Sequence, residues 1–174
     1  MTQPDLARAH LGYRYRGLDG ARRKAARYGR AGAFFAWESA DTGDEVTPEW
    51  GSDNGEPVRI WTGEIEEHSV ADIAWAIDHY VDWTGDEGCL LDQGAEIILD
   101  GARYWAGRLE DEDDGGHLRG VIGPDEYHTK VDDNVFTNAM AAWQLRIAAG
   151  LVDTLSAHHP GPARQLLARL GIDP

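Results

Sequence analysis

Cysteine is almost missing from these 174 residues: Cys89 stands alone. One thiol excludes an internal disulfide and fits a reducing compartment. Set in an apolar Cys-Leu-Leu run, it reads as helix core rather than as a nucleophile. Long hydrophobic runs are missing too. No window approaches the length of a membrane-spanning helix, and the start, M-T-Q-P-D-L-A-R-A-H, lacks the apolar stretch of a signal peptide. A cytoplasmic location is the expectation. Positive charge is scarce, with 16 Lys and Arg against 31 Asp and Glu and a formal net charge of −15. That balance argues against nucleic acid as a partner and against an anionic membrane surface. The single basic run, Arg22-Arg23-Lys24 with Arg27 and Arg30, reads as an exposed helix face. Metal signatures are also wanting. His68, His117 and His128 lack HExxH-like spacing, and there is no CxxC. A calcium loop begun at Asp111 would put Ile122 where a bidentate Glu is required, so residues 110–114 read as a solvated acidic turn. Phosphate-cradling glycine loops and GxSxG elbows do not occur, and neither a metal nor an organic cofactor is expected.

What is present is helical period and aromatic side chains. Stretches from Asp5 to Tyr15 and Leu18 to Tyr28 predict short helices. Ile73, Ile77, Tyr80 and Trp83 paint one face of a helix over 69–84, capped by Ser69 or a carboxylate and closed by T-G-D at 84–86. A second long helix is predicted over 88–108 with Leu91, Ala95, Ile98, Ala102 and Trp105 on one face. A third over 137–155 carries Met140, Trp143, Ile147, Leu151 and Leu155, and a weaker one spans 163–170. Strand signals are few, V-R-I-W at 58–61 being the best. The class is all-α: antiparallel helix pairs joined by long loops. Residues 31–66 hold little helical period but three Trp, and an aromatic-rich loop of that length is functional rather than disordered.

Three loop segments then stand out: F-F-A-W-E-S at 34–39, W-T-G-E-I-E-E-H at 61–68 and G-P-D-E-Y-H at 123–128. Each couples aromatic residues to carboxylates. Rings stack on the C–H faces of sugars, acids accept hydrogen bonds from hydroxyls, and glycoside cleavage needs a carboxylic acid that donates to the leaving oxygen. A Gly-Pro pair keeps the backbone out of a helix and presents Asp125 and Glu126 from a corner. Partial burial of Glu126, with Asp125 beside it, would suit it to hold and donate that proton. Asp72, Asp132 and Asp133 read as helix caps.

These segments, with Y-R-Y-R-x-L-D-G-A-R (13–22), A-D-I-A-W-A-I (71–77), W-T-G-D (83–86), A-R-Y-W (102–105) and V-D-D-N-x-F-T-N-x-M (131–140), resemble glycoside hydrolase family 65 over about residues 3–150. The resemblance implies an (α/α)6 barrel and inverting chemistry on α-glucosyl disaccharides such as trehalose, kojibiose and maltose. Inorganic phosphate is the co-substrate in its phosphorylases, and water is used in its acid trehalases. It matches Glu126 to the general acid, Trp37 and Glu38 to the loop holding the glucosyl unit, and Thr62 and His68 to the pocket wall. Tyr127 and Asn134 match neighbours that orient the acid loop. His68 equally suits a helix-start cap or packing role. Members carry a β-sandwich ahead of the barrel, a Phe-Trp-Asp segment, and a Lys-Gln phosphate motif or a catalytic base beyond it, none of which occurs here. The chain is therefore expected to be the central part of such a barrel, a marginal fold or oligomer with little catalysis by itself. An inactive sugar-binding or assembly module is the alternative, and full-length relatives are expected to be homo-oligomers. Ala36 and Gly101 depart from the family's Pro and from a better helix former.

Overall fold

The computed structural model describes residues 2–173, and among them helices dominate. In chain order they are α1 (Pro4–Arg16), α2 (Leu18–Arg27), α3 (Thr62–Ile65), α4 (Ser69–Thr84), α5 (Glu87–Cys89), α6 (Ala95–Arg108), α7 (Val135–His158) and α8 (Pro160–Leu170). A π-helical turn, Leu90–Gly94, joins α5 to α6. Two antiparallel hairpins complete the set, β1 (Trp50–Asp53) with β2 (Glu56–Arg59) and β3 (Glu110–Glu112) with β4 (Gly115–His117). The weak strand signal at 58–61 is thus the end of a hairpin. The acidic turn at 110–114 is the body of another, which apolar alternation could not disclose.

Helices α4, α6 and α7 pack on one another, α1 lies against α4, and α8 lies against α7. The predicted stripe of α4 is buried at Ile73, Ile77 and Tyr80, but Trp83 is 63% exposed and turns away from it. Gly85 closes this helix in the left-handed conformation, φ 67°. In α7 Leu155 is buried as expected, but the rest of the buried line is Thr137, Ala141, Gln144 and Ala148, one position off the larger residues expected there, with Met140, Trp143, Ile147 and Leu151 only half-buried. Close packing on α6 explains the offset. A Cβ at Gly101 would lie 2.2 Å from Gln144 Nε2, so the glycine admits the Gln144 amide between the helices. There it accepts from Trp105 Nε1 (2.8 Å) and donates to the Ile98 carbonyl (3.1 Å). The low helix propensity of Gly101 is offset by this contact.

The basic run is not a solvated face. Arg22 donates to Asp100 and Glu96, each at 2.6 Å, and Arg23 pairs with Asp44 at 2.8 Å. Lys24 is buried, 2.5 Å from Glu45, with its ammonium 3.6 Å from the centre of the Phe34 ring. These side chains fasten α2 to α6 and to the loop after α2. Cys89 is buried and its thiol is pushed up by desolvation, consistent with a core role.

Candidate functional site

The loop at 34–39 is held from beneath by one buried-side carboxylate. Glu45 accepts from the Trp37 amide (2.9 Å), the Glu38 amide (3.3 Å), and the amide and hydroxyl of Thr47 (3.1 and 2.7 Å), while also receiving Lys24. Burial by itself would raise Glu45, but the Lys24 ammonium and the Thr47 hydroxyl reverse this and hold it below the usual carboxylate range. The result is a rigid turn that leaves Trp37 half-buried and Glu38 exposed. No sequence signal marks Glu45 for this part; its contacts arise only from the fold.

His68 is the hub of this end of the molecule. It is 6% exposed, and both ring nitrogens are engaged: Nδ1 with Asp72 Oδ2 at 2.6 Å and Nε2 with Glu66 Oε1 at 3.1 Å. Desolvation works against a charged ring, yet the hydrogen bonds and charges of Asp72 and Glu66 outweigh it, and His68 is raised to about 9. It is an imidazolium at neutral pH. Its edges meet the Trp37 ring (6.1 Å between centres, 80°) and the Phe136 ring (5.3 Å, 88°), so it joins the 34–39 loop, the start of α4 and the start of α7. It stands at the N-cap of α4 without a capping hydrogen bond. Thr62, at the start of α3, is buried close by in sequence to this hub.

Glu66 is the residue that sequence reading passed over. It is 1% exposed, its Oε2 has no hydrogen-bond partner among the described residues, and burial pushes it up, with the charges of Glu126 and Asp72 adding to the effect against His68.

The acid loop has firm feet and an open tip. Val121 and Val131 exchange backbone hydrogen bonds at 3.0 and 2.8 Å, and Ile122 N–H donates to the Ile65 carbonyl at 2.9 Å. Asp133 accepts from the Leu118 amide (3.1 Å) and Asn138 (3.2 Å), and Asp132 accepts from the Gly120 amide (2.9 Å). These two aspartates brace the loop, and Asp72 serves His68. None of the three caps a helix as expected from sequence. The cap of α7 is Asn134, whose Oδ1 accepts from the Thr137 amide at 3.1 Å. A Cβ at Gly123 would fall 2.4 Å from Asn134 Nδ2, so Asn134 packs directly under the Gly-Pro corner.

At the tip, Asp125 accepts from the Tyr127 amide (3.2 Å) and pairs with His128 Nδ1 (2.7 Å), which folds residues 125–128 into a tight turn. Glu126 is exposed there, where partial burial was expected, and Asp125 is occupied with the turn. Tyr127 is 97% exposed, and only its backbone amide takes part in the turn. Lys130, at the far side of the tip, lies 3.9 Å from the centre of the Trp61 ring, just before Thr62.

On the second hairpin, Glu112, Asp114 and His117 bring three ligand-type atoms within 4.8 Å of one another. His117 is already committed, to Asp133 at 2.8 Å and Asp114 at 3.1 Å, and those hydrogen bonds raise it to about 8. A protonated ring has no lone pair for a metal, and its contact with Asp133 braces the acid loop instead.

A model of the glycosyl hydrolase family 65 central catalytic domain matches residues 1–171. A kojibiose phosphorylase of Halothermothrix orenii is 49% identical over 160 residues, covering 89% of this chain and 20% of that protein. A kojibiose hydrolase of Flavobacterium johnsoniae is 37% identical over 161 residues, covering 92% and 22%. Among solved structures, one from the human microbiome, provisionally described as a kojibiose phosphorylase, superposes with a TM-score of 0.79 over 98% of this chain and 23% of its own, at 21% identity. The chain thus spans about a fifth of the length of the curated relatives it matches. Matched over residues 1–171 by the family's own domain, and 49% identical over 160 residues to the H. orenii protein, the chain belongs to glycosyl hydrolase family 65.

Proposed function

We propose that the chain supplies the acid-bearing part of an (α/α)6 barrel that cleaves an α-glucosyl disaccharide of the kojibiose, trehalose or maltose class by inverting phosphorolysis. Glu126 protonates the glycosidic oxygen. Inorganic phosphate attacks the anomeric carbon from the opposite face, the bond to the leaving sugar breaks, and β-glucose 1-phosphate and the second sugar are released. Trp37 offers its ring to a sugar face and Glu38 accepts from hydroxyls, while Thr62 and His68 wall the pocket behind them. Asn134 holds the acid corner. The observation that supports this reading is the meeting of the three sugar-type loops at one end: the His68 ring faces the Trp37 ring, and the acid loop is tied to the 61–68 segment by the Ile122 N–H to Ile65 carbonyl bond at 2.9 Å. Exposure of Glu126 is compatible with it, since a general acid tightens on its substrate only when the pocket is complete.

The test is a chimera in which residues 1–171 replace the matching region of the H. orenii kojibiose phosphorylase. Kojibiose and phosphate are expected to yield β-glucose 1-phosphate, with a loss of at least about 10²-fold in Glu126→Gln. Retained turnover in that variant overturns the assignment. The hydrolase relative favours a second reading, in which water replaces phosphate. Glucose release independent of phosphate, from this chain joined to its own genomic flanks, would select it.

A further inference from the structure

Three non-glycine residues among those described adopt a positive φ: Asn54, Lys130 and Asp133. Asn54 precedes Gly55 in the turn of the β1–β2 hairpin, where that conformation is ordinary. Lys130 and Asp133 instead flank Val131, at the foot of the acid loop. Asp133, at φ 52°, is pinned from several sides. Its amide donates to the Leu118 carbonyl (2.9 Å), Oδ1 accepts from the Leu118 amide (3.1 Å) and from Asn138 Nδ2 (3.2 Å), and Oδ2 pairs with His117 Nδ1 (2.8 Å). These partners belong to β4, to the segment just after it and to α7. The His117 contact, with Asn138 and the Leu118 amide, holds the Asp133 carboxyl at about 2. A side chain persists in the left-handed region only where its surroundings over-determine it, and such residues gather at working sites.

We infer that Asp133 is a positioning residue for the general acid: it locks the outgoing end of the acid loop to the β3–β4 hairpin and so fixes the corner that presents Glu126. This rests on the reading of Glu126 given above and adds to it a residue that need not touch sugar. Leu118 with Asp133, Gly120 with Asp132, and Val121 with Val131 are successive rungs across the base of the loop. Past the outermost rung, the left-handed turn at Asp133 delivers Asn134 to the N-cap of α7. Asn134 Nδ2 then lies 2.4 Å from where a Cβ on Gly123 would stand. The mechanical path is short. The clasp sets Asn134, Asn134 seats Gly123, and Gly123 with Pro124 aims the two carboxylates that follow. A proton donor is sensitive to such aim, since a misplacement of about 1 Å can cost on the order of 10²-fold in rate.

The experiment uses the chimera with kojibiose and phosphate, and reads kcat and KM for Asp133→Gly, Asp133→Asn and His117→Leu, each alone and combined with Glu126→Gln. Glycine keeps the left-handed backbone and drops the side-chain bonds. Asparagine keeps the backbone and one acceptor oxygen but loses the charge facing His117. Asp133→Gly is expected to lower kcat about tenfold with KM within about twofold, and Asp133→Asn and His117→Leu about threefold. In the Glu126→Gln background each loss is expected to shrink below about twofold, because an acid that is gone cannot be misplaced. A general weakening of the fold would instead lower both backgrounds by the same factor. An unchanged kcat in Asp133→Gly, or equal losses with and without Glu126→Gln, overturns the inference. Should Asp133→Gly fail to fold, His117→Leu, which releases only the hairpin end of the clasp, decides by the same two criteria. Turnover that survives Glu126→Gln would overturn the acid assignment and this inference with it. Turnover that is lost there yet indifferent to Asp133 and His117 overturns the clasp alone.

Discussion

Two polar clusters buried in this molecule have opposite characters. Beneath the loops, Glu67 accepts from Arg108 Nε at 2.8 Å and from the Tyr104 hydroxyl at 2.8 Å, while Arg108 also donates to the Arg119 carbonyl at 2.5 Å. Each charge there meets its complement. At the rim, Glu66 leaves one oxygen without a partner, His68 carries a charge between two acids, and Glu126 stands in solvent. A closed network holds a fold in one arrangement, whereas a partly open one retains capacity for a ligand. Scaffold and site are separable here by counting unspent hydrogen bonds.

Breaking the closed cluster is expected to have the largest effect. Arg108→Met strands the Glu67 carboxylate in the interior, and a loss of about 3–5 kcal/mol in denaturant unfolding is expected. A loss under 1 kcal/mol would mean that water reaches Glu67 and that the contrast between floor and rim is false. Next comes the helix seam under both clusters. Gly101→Ala raises helix propensity yet drives a methyl into the Gln144 amide, so a net destabilisation of about 1–3 kcal/mol is expected; a gain in stability would refute the seam.

The rim is probed by pH. His68, raised to about 9 from its ordinary 6.5, contributes stability that is complete below pH 6.5 and is lost as pH rises through about 9. A fall on the order of 1 kcal/mol across that window is expected, allowing for screening. His117, raised to about 8, titrates in the same range, so the informative quantity is the part of the fall that disappears in His68→Gln. An unchanged slope in that variant would place the imidazolium elsewhere. The smallest effect is expected at the tip: Glu126→Gln should leave the unfolding free energy within about 0.5 kcal/mol of the parent, as for any exposed side chain free of structural contacts. A larger change would show that the acid also braces its loop.

Much of the helical frame was legible from spacing. The stripe Ile73, Ile77, Tyr80 predicts α4 and its buried face, and Gly85 marks its end. Trp83 was misplaced because period alone does not say where a neighbouring helix stops. The stripe of α7 was misread because large apolar residues draw attention, while contact with α6 depends on the small ones and on Gln144 opposite Gly101. Both hairpins escaped detection, being short and lined by polar residues. The basic run of α2 resembled a solvated face only while its partners, remote in sequence at Asp44, Glu45, Glu96 and Asp100, were out of view. At the site, the motif residues Trp37 and His68 meet ring to ring, and Thr62 is buried at the start of α3. Glu45 carries no local signature, and Glu66, though inside the 61–68 segment that stood out, was given no part there; the value of both lies in what folding brings beside them.

The reciprocal pair of amide contacts between Val121 and Val131 has a consequence for descent. A stretch whose two ends are stitched together can gain or lose residues without the flanking helices noticing. Changes between Pro124 and Lys130 can therefore be absorbed at the tip, while the tie of Ile122 to Ile65 and the seat of Gly123 on Asn134 keep their contacts.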